Sequence, residues 1–274
     1  MLHQIFKATV LCFSVLFFFF SLSAQADNEN SQRLLWGPYF NYNHTIHFAN
    51  FRTLDKTLFN ANPHDYGRST ANNIAFGGLF EYVIHKTEKQ NKIRLGAKIG
   101  YATANCNFQN EEIIGNAEQI DSDELVPVIV HHLLEAKISQ INLLPYFSYN
   151  FFDNFVANVG LNLGYIIKST YKQREEIVSP DYVEYVNVGK VKNKYDDQKI
   201  NDLNKLQLGL TIGLGYDFSI GNLFIISPEI QYNFPFTSIS NADYYDIYRE
   251  RIPNKKVDWT IQTISLGVAI RFAS

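Results

Sequence analysis

From Lys205 to Phe218 the chain alternates strictly: Leu206, Leu208, Leu210, Ile212, Leu214, Tyr216 and Phe218 on one parity, Lys205, Gln207, Gly209, Thr211, Gly213, Gly215 and Asp217 on the other. Only an extended strand, whose successive side chains point to opposite faces, separates two such sets. The same period recurs at about 34–46, 74–85, 92–103, 138–151, 155–171, 223–236 and 260–272. The pattern therefore predicts eight strands.

The connections alternate as regularly as the strands. Tight turns fall at 86–91, 153–154 and 221–222, where Asn and Gly supply hairpin chemistry. Long polar segments fall at about 47–73, 104–137, 172–204 and 237–259. A meander with short turns at one end and long loops at the other has the layout of an eight-stranded antiparallel up-and-down transmembrane β-barrel, all-β, with periplasmic turns and extracellular loops. Pro145 and Pro228 fall inside predicted strands. Because proline cannot donate to a ladder, bulges are expected there.

Alternation alone leaves open which face is inside. Gly37, Gly77, Gly96, Gly100, Gly160, Gly164, Gly209, Gly213, Gly215 and Gly267 share the polar face, and Gly78 alone takes the apolar one. Inside a narrow barrel glycine makes room for large polar neighbours, so the polar face reads as the lumen. The apolar face of the eight segments lacks Asp, Glu, Lys and Arg, and the one histidine on it is His44, near the loop end of the first strand. The polar face carries Glu81, Arg94, Lys98, Lys168, Asp217, Glu229 and Arg271. Both signs are present, so a lumenal charge network of Glu81, Arg94, Lys98, Glu229 and Arg271 is expected, and a packed plug rather than an open pore.

The N-terminus adds a processing signal. Lys7 supplies a basic n-region, 10–22 an apolar core and Ala24-Gln25-Ala26 a cleavage site, so 1–26 reads as a signal peptide and 27–274 as one barrel domain. No later run approaches the ~20 apolar residues of a membrane helix. With 24 basic against 27 acidic residues, the chain lacks the charge of a nucleic-acid binder. Removal of Cys12 leaves Cys106 without a disulfide partner, and its polar neighbours suggest a free loop thiol.

Trp36, Tyr42, Tyr82, Tyr101, Tyr149, Tyr165, Tyr216, Tyr232 and Trp259 lie toward strand ends, where aromatic girdles form. The last strand places Gly267, Ile270 and Phe272 as in the C-terminal assembly signal of bacterial outer-membrane barrels. Together with the segments GGLFEYVI (77–84), IRLGAKIGYAT (93–103), LLPYFSYNFF (143–152) and VGLNLGYIIKSTYKQREEI (159–177), this resembles the small outer-membrane β-barrel family of OmpA-like and PorT-like proteins. The resemblance implies the outer membrane of a Gram-negative bacterium. It also implies outer-membrane lipids and, through the C-terminal strand, the barrel assembly machinery as partners.

Motifs of enzyme chemistry are missing: there is no Walker loop, GxGxxG, HExxH, CxxC or GxSxG. His131 and His132 would point to opposite faces of a strand, and Glu175, Glu176, Asp196 and Asp197 sit among lysines in a mixed-charge loop without an EF-hand pattern. The expectation is no catalytic, cofactor-binding or metal residue and no nucleic acid. The expected role is structural or interactive, through protein or host ligands at the loops, chiefly 172–204 and 237–259. The alternatives are a lipid A-modifying enzyme, which His44 near the outer rim suggests, and a narrow channel.

Overall fold

The computed structural model describes residues 34–51, 66–86, 92–152, 154–200, 202–221, 224–240, 242–245 and 251–273. The signal peptide and the centre of the turn at 86–91 lie outside these residues. The strands are β1 (Leu34–Phe51), β2 (Tyr66–Lys86), β3 (Lys92–Thr103), β4 (Cys106–Glu118), β5 (Leu125–Phe151), β6 (Phe155–Ser179) and β7 (Val191–Lys199). They continue as β8 (Leu206–Tyr216), β9 (Phe218–Ile220), β10 (Phe224–Pro235), β11 (Asp243–Tyr245), β12 (Arg251–Lys256) and β13 (Trp259–Ala273).

Eight of them close a ring. In chain order β1, β2, β3, β5, β6, β8, β10 and β13 each pair antiparallel with the next, and β13 returns to β1. Closure removes every sheet edge from the ring, which a spanning sheet requires because lipid offers backbone groups no partner. The faces sort as the alternation predicts. Leu34, Trp36, Phe40 and Tyr42 of β1 are exposed, whereas Tyr39, Asn41, Asn43 and Thr45 are buried in the lumen.

Strand structure runs well past the predicted ends. The outer half of β5 pairs with β4 from Cys106↔Ala136 to Glu118↔Leu125, and the outer half of β6 pairs with β7 from Thr170↔Lys199 to Glu176↔Val191. A four-stranded sheet, β4-β5-β6-β7, thus projects from the ring and occupies most of 104–137 and 172–204, segments that alternation assigns to loops.

The expected proline bulges do not form. The registers around Pro145 and Pro228 run without a shift. Each proline instead leaves a gap in one ladder. Pairing of β5 with β6 skips from Leu143↔Leu163 to Tyr146↔Gly160, and β10 loses its partner between Ile226↔Phe218 and Glu229↔Gly215, splitting β8 from β9. Losing one donor costs a rung, and the neighbouring rungs hold the register. A real bulge occurs on β6 instead, where the register shifts between Ser139↔Lys168 and Gln140↔Ile166. One extra residue inverts the facing of everything beyond it. Lys168, assigned to the lumen by parity, consequently points outward and is exposed.

Candidate functional site

The lumen is filled in three layers. At the turn end Glu81 accepts hydrogen bonds from Arg271 Nε at 2.9 Å and Tyr146 Oη at 2.5 Å, with Arg94 at 3.3 Å. Asp217 meets Arg94 at 3.1 Å and Arg271 at 3.6 Å, and accepts hydrogen bonds from Ser227 and Asn150. Lys98 donates to both oxygens of Glu229 at 2.8 Å and lies over the rings of Tyr39 and Tyr146. Arg271 also donates to Ser227. Three cations thus face three carboxylates, all buried, and mutual compensation is what makes such burial tolerable. Gly96 provides the space: a Cβ there would lie 2.6 Å from the Tyr146 ring and 2.9 Å from Glu81. The five predicted charges come together, joined by Asp217, Tyr146 and Ser227. Parity marked Asp217 as lumenal, but long-range pairing is not encoded in local pattern.

Above this layer lies a cavity of about 100 Å³ lined by amides and hydroxyls, among them Asn41, Asn43, Asn142, Gln207 and Gln231, with Lys98 at its floor. Its roof includes Ala104 and Ile239, which belong to the third layer. That layer is an apolar cluster of Phe51, Tyr66, Cys106, Phe108, Leu134, Ala136, Ile138, Ile166, Tyr171, Val257 and Trp259. Its rings pack edge to face and tilted, with Phe51, Phe108 and Trp259 mutually 5.4–6.0 Å apart. Two expectations fail here. Trp259 is fully buried and donates its indole N–H to His47 at 3.1 Å instead of joining a girdle. Cys106 is a buried thiol at the start of β4, and burial pushes its pKa up. The other girdle positions fit better: Trp36, Tyr42, Tyr149 and Tyr165 are exposed on the outer face.

The projecting sheet has its own polar clamp. His132 Nε2 lies 2.9 Å from Glu112 and its Nδ1 3.9 Å from Glu175. Glu175 receives Lys192 at 2.8 Å and the Tyr185 hydroxyl at 2.5 Å, and burial and this carboxylate together raise the Tyr185 pKa. Glu175 is therefore a buried anchor and not a solvated loop charge. The adjacent His131 and Glu176 face outward, as strand geometry demands. Beside the clamp, Val128, Val130 and Ile177 form a small core. Beyond it the tip is open: Ile113, Ile120, Leu125, Val186 and Val188 are strongly exposed among acidic residues such as Glu118, Asp121, Asp123 and Glu124. Tyr182 donates to the Glu118 carbonyl at 2.9 Å and ties the β6–β7 connection to the β4–β5 tip.

His44 lies on the outer face with Nδ1 3.1 Å from Asn72 Oδ1. No second ionisable group joins it among the described residues, and these hold no cluster of three or more metal-ligating side chains.

The outer membrane protein beta-barrel domain family matches residues 17–241. The chain belongs to this family. It is an outer-membrane protein built on an eight-stranded barrel. No curated protein matches the sequence. Among solved structures it is similar to Ail, the attachment invasion locus protein of Yersinia pestis, with 10% identity, TM-score 0.30, and coverage of 88% of this chain and 99% of that one. Neisserial surface protein A gives 8%, 0.33, 89% and 98%, and the outer membrane protease OmpT of Escherichia coli gives 9%, 0.35, 91% and 99%.

Proposed function

We propose that the barrel is a closed anchor and that the projecting β4–β7 sheet is the working surface of an envelope-binding or scaffolding protein. The observation that carries this reading is the contrast at the outer end: the sheet is braced inside by the apolar cluster and the His132–Glu175 clamp, yet its tip leaves Ile113, Ile120, Leu125, Val186 and Val188 uncovered. Large exposed apolar side chains on a rigid support are typical of contact surfaces. The segment 237–259, expected to share the task, contributes Ile239, Val257 and Trp259 to the cap, so the tips of 106–136 and 168–199 carry the surface.

A channel role is disfavoured because charge layer, small cavity and apolar cap succeed one another along one lumen. A photo-crosslinker at position 186 in intact cells tests the proposal. A discrete adduct is expected, lost when Ile113, Ile120, Leu125 and Val188 become serine. Steady ion-selective currents from the wild type in planar bilayers would support the channel instead. Loss of the cellular phenotype on His44→Ala, with the tip intact, would support the enzyme.

A further inference from the structure

The bulge on β6 creates a feature that strand parity hides. Beyond it the outward face of β6 carries Lys168, Thr170 and Lys172 in succession. Thr170 pairs across one ladder with Lys137 and across the other with Lys199. Directly opposed residues of an antiparallel pair share a face, so four lysines surround one threonine. Lys137 and Lys199 each stand one strand spacing away, about 4.8 Å, and Lys168 and Lys172 stand two residues along, about 7 Å. Lys137, Lys168 and Lys199 are exposed, and no carboxylate lies within ion-pair distance of them among the described residues. Lys172 shares Asp196 and Asp197 at 3.9 Å, and Glu135 opposite Lys172 closes the upper edge.

The position of this cradle indicates its occupant. Tyr165 and Ile141, in register and exposed on the lipid face, lie immediately below, as does Ile167, and Tyr101 donates to Ser139 on the same flank. Lys168 stands only about 10 Å of strand beyond Tyr165, the distance at which headgroups follow an aromatic girdle. We infer that Lys137, Lys168, Lys172 and Lys199, centred on Thr170, bind the phosphate of a phosphorylated lipid in the leaflet at the long-strand end. The apolar skin below takes the acyl chains, and the lysines take a headgroup that needs several positive charges. This site is independent of any partner at the tip, and it holds whichever compartment that end faces.

The test uses folded full-length protein in micelles containing equal amounts of phosphatidic acid and phosphatidylcholine, with retained lipid counted by native mass spectrometry. Wild type should retain phosphatidic acid selectively. A lysine near an anionic headgroup contributes roughly fivefold in affinity, so K137Q/K168Q/K199Q should weaken phosphatidic acid binding on the order of a hundredfold and leave phosphatidylcholine unchanged. A control with the same loss of charge elsewhere, R68Q/K190Q/K256Q, should bind like wild type. Equal binding by the cradle variant, or equal loss in the control, overturns the site. Displacement of the lipid by excess inorganic phosphate would reduce it to a simple anion site and overturn the lipid assignment. Heat-modified electrophoresis shows that each variant is folded.

Discussion

The turn end and the outer end of the same tube are filled with opposite chemistry. At the turn end the interior holds Glu81, Arg94, Asp217 and Arg271; at the outer end it holds Phe51, Phe108, Leu134 and Trp259. Strand β5 shows the change along one uninterrupted ladder. Its even positions point inward from Asn150 to Val128, yet they are Asn150, Ser148 and Tyr146 at one end and Ile138, Ala136, Leu134 and Val130 at the other. What differs is the surrounding medium. Where lipid bathes the outside, the apolar residues face out and polar groups are left to compensate one another within. Where water bathes it, the sheet packs its apolar face inward as any soluble sheet does. The interior composition of a barrel strand thus reports what lies outside it.

If the two fillings are separate devices, breaking each should have its own cost. The largest effect is expected from Glu81→Ala, which leaves Arg94 and Arg271 short of a carboxylate in a buried layer. Such a loss costs about 4 kcal/mol, read as a lower urea midpoint for the folded barrel in detergent. Trp259→Ala follows at about 3 kcal/mol, the price of a large ring removed from a packed cluster. The double variant sharpens the comparison. Layers separated by the polar cavity should add within about 0.5 kcal/mol, and a clear departure from additivity would show one continuous core.

His132→Ala probes the clamp alone. It deprives Glu112 and Glu175 of their shared neighbour at a cost of about 2 kcal/mol, and the loosening should stay in the projecting sheet. Cys106 is the reporter. Its thiol is buried and its pKa raised, so native protein should resist alkylation near neutral pH. Its strand partner Ala136 lies on β5 four residues beyond His132. In His132→Ala the labelling rate should rise severalfold while the urea midpoint of the ring stays put. Unchanged labelling would show that the apolar cluster holds the sheet without the clamp.

The ring was legible because lipid outside and charge inside give alternation its greatest contrast. All eight segments, from the stretch around Trp36 to that around Arg271, became ring strands, and glycine placement identified the lumen. The projection was not legible, for a physical reason. On β5 the apolar residues change parity between Ile141 and Ile138, so a reader following one phase sees the strand end where its surroundings change. On β6 the bulge at Ile167 adds a second inversion, so unbroken parity puts Lys168 on the wrong side. Trp259 and Cys106 misled similarly, since an aromatic at a strand end and a cysteine among polar residues carry no mark of the cluster that long-range pairing builds around them. The clamp could have been suspected only by extending the inward parity of β5 through His132, against the polar character of its neighbours.

The smallest effect on stability is expected at the tip, and its smallness is informative. Ile113 and Ile120 are exposed by 63% and 70%, so replacing both by serine removes little packed surface. Such substitutions fall within about 0.5 kcal/mol of neutral. The burial argument therefore predicts an unchanged urea midpoint, unchanged Cys106 labelling and, because the lysine cradle is untouched, unchanged phosphatidic acid retention. A large apolar side chain kept in water without a share in stability has its use in contact, so the same variant should lose the crosslinked adduct. If serine at these two positions instead lowered the midpoint as much as Trp259→Ala does, the tip would belong to the fold, and the working surface would have to be sought on the charged outer face of β5 and β6.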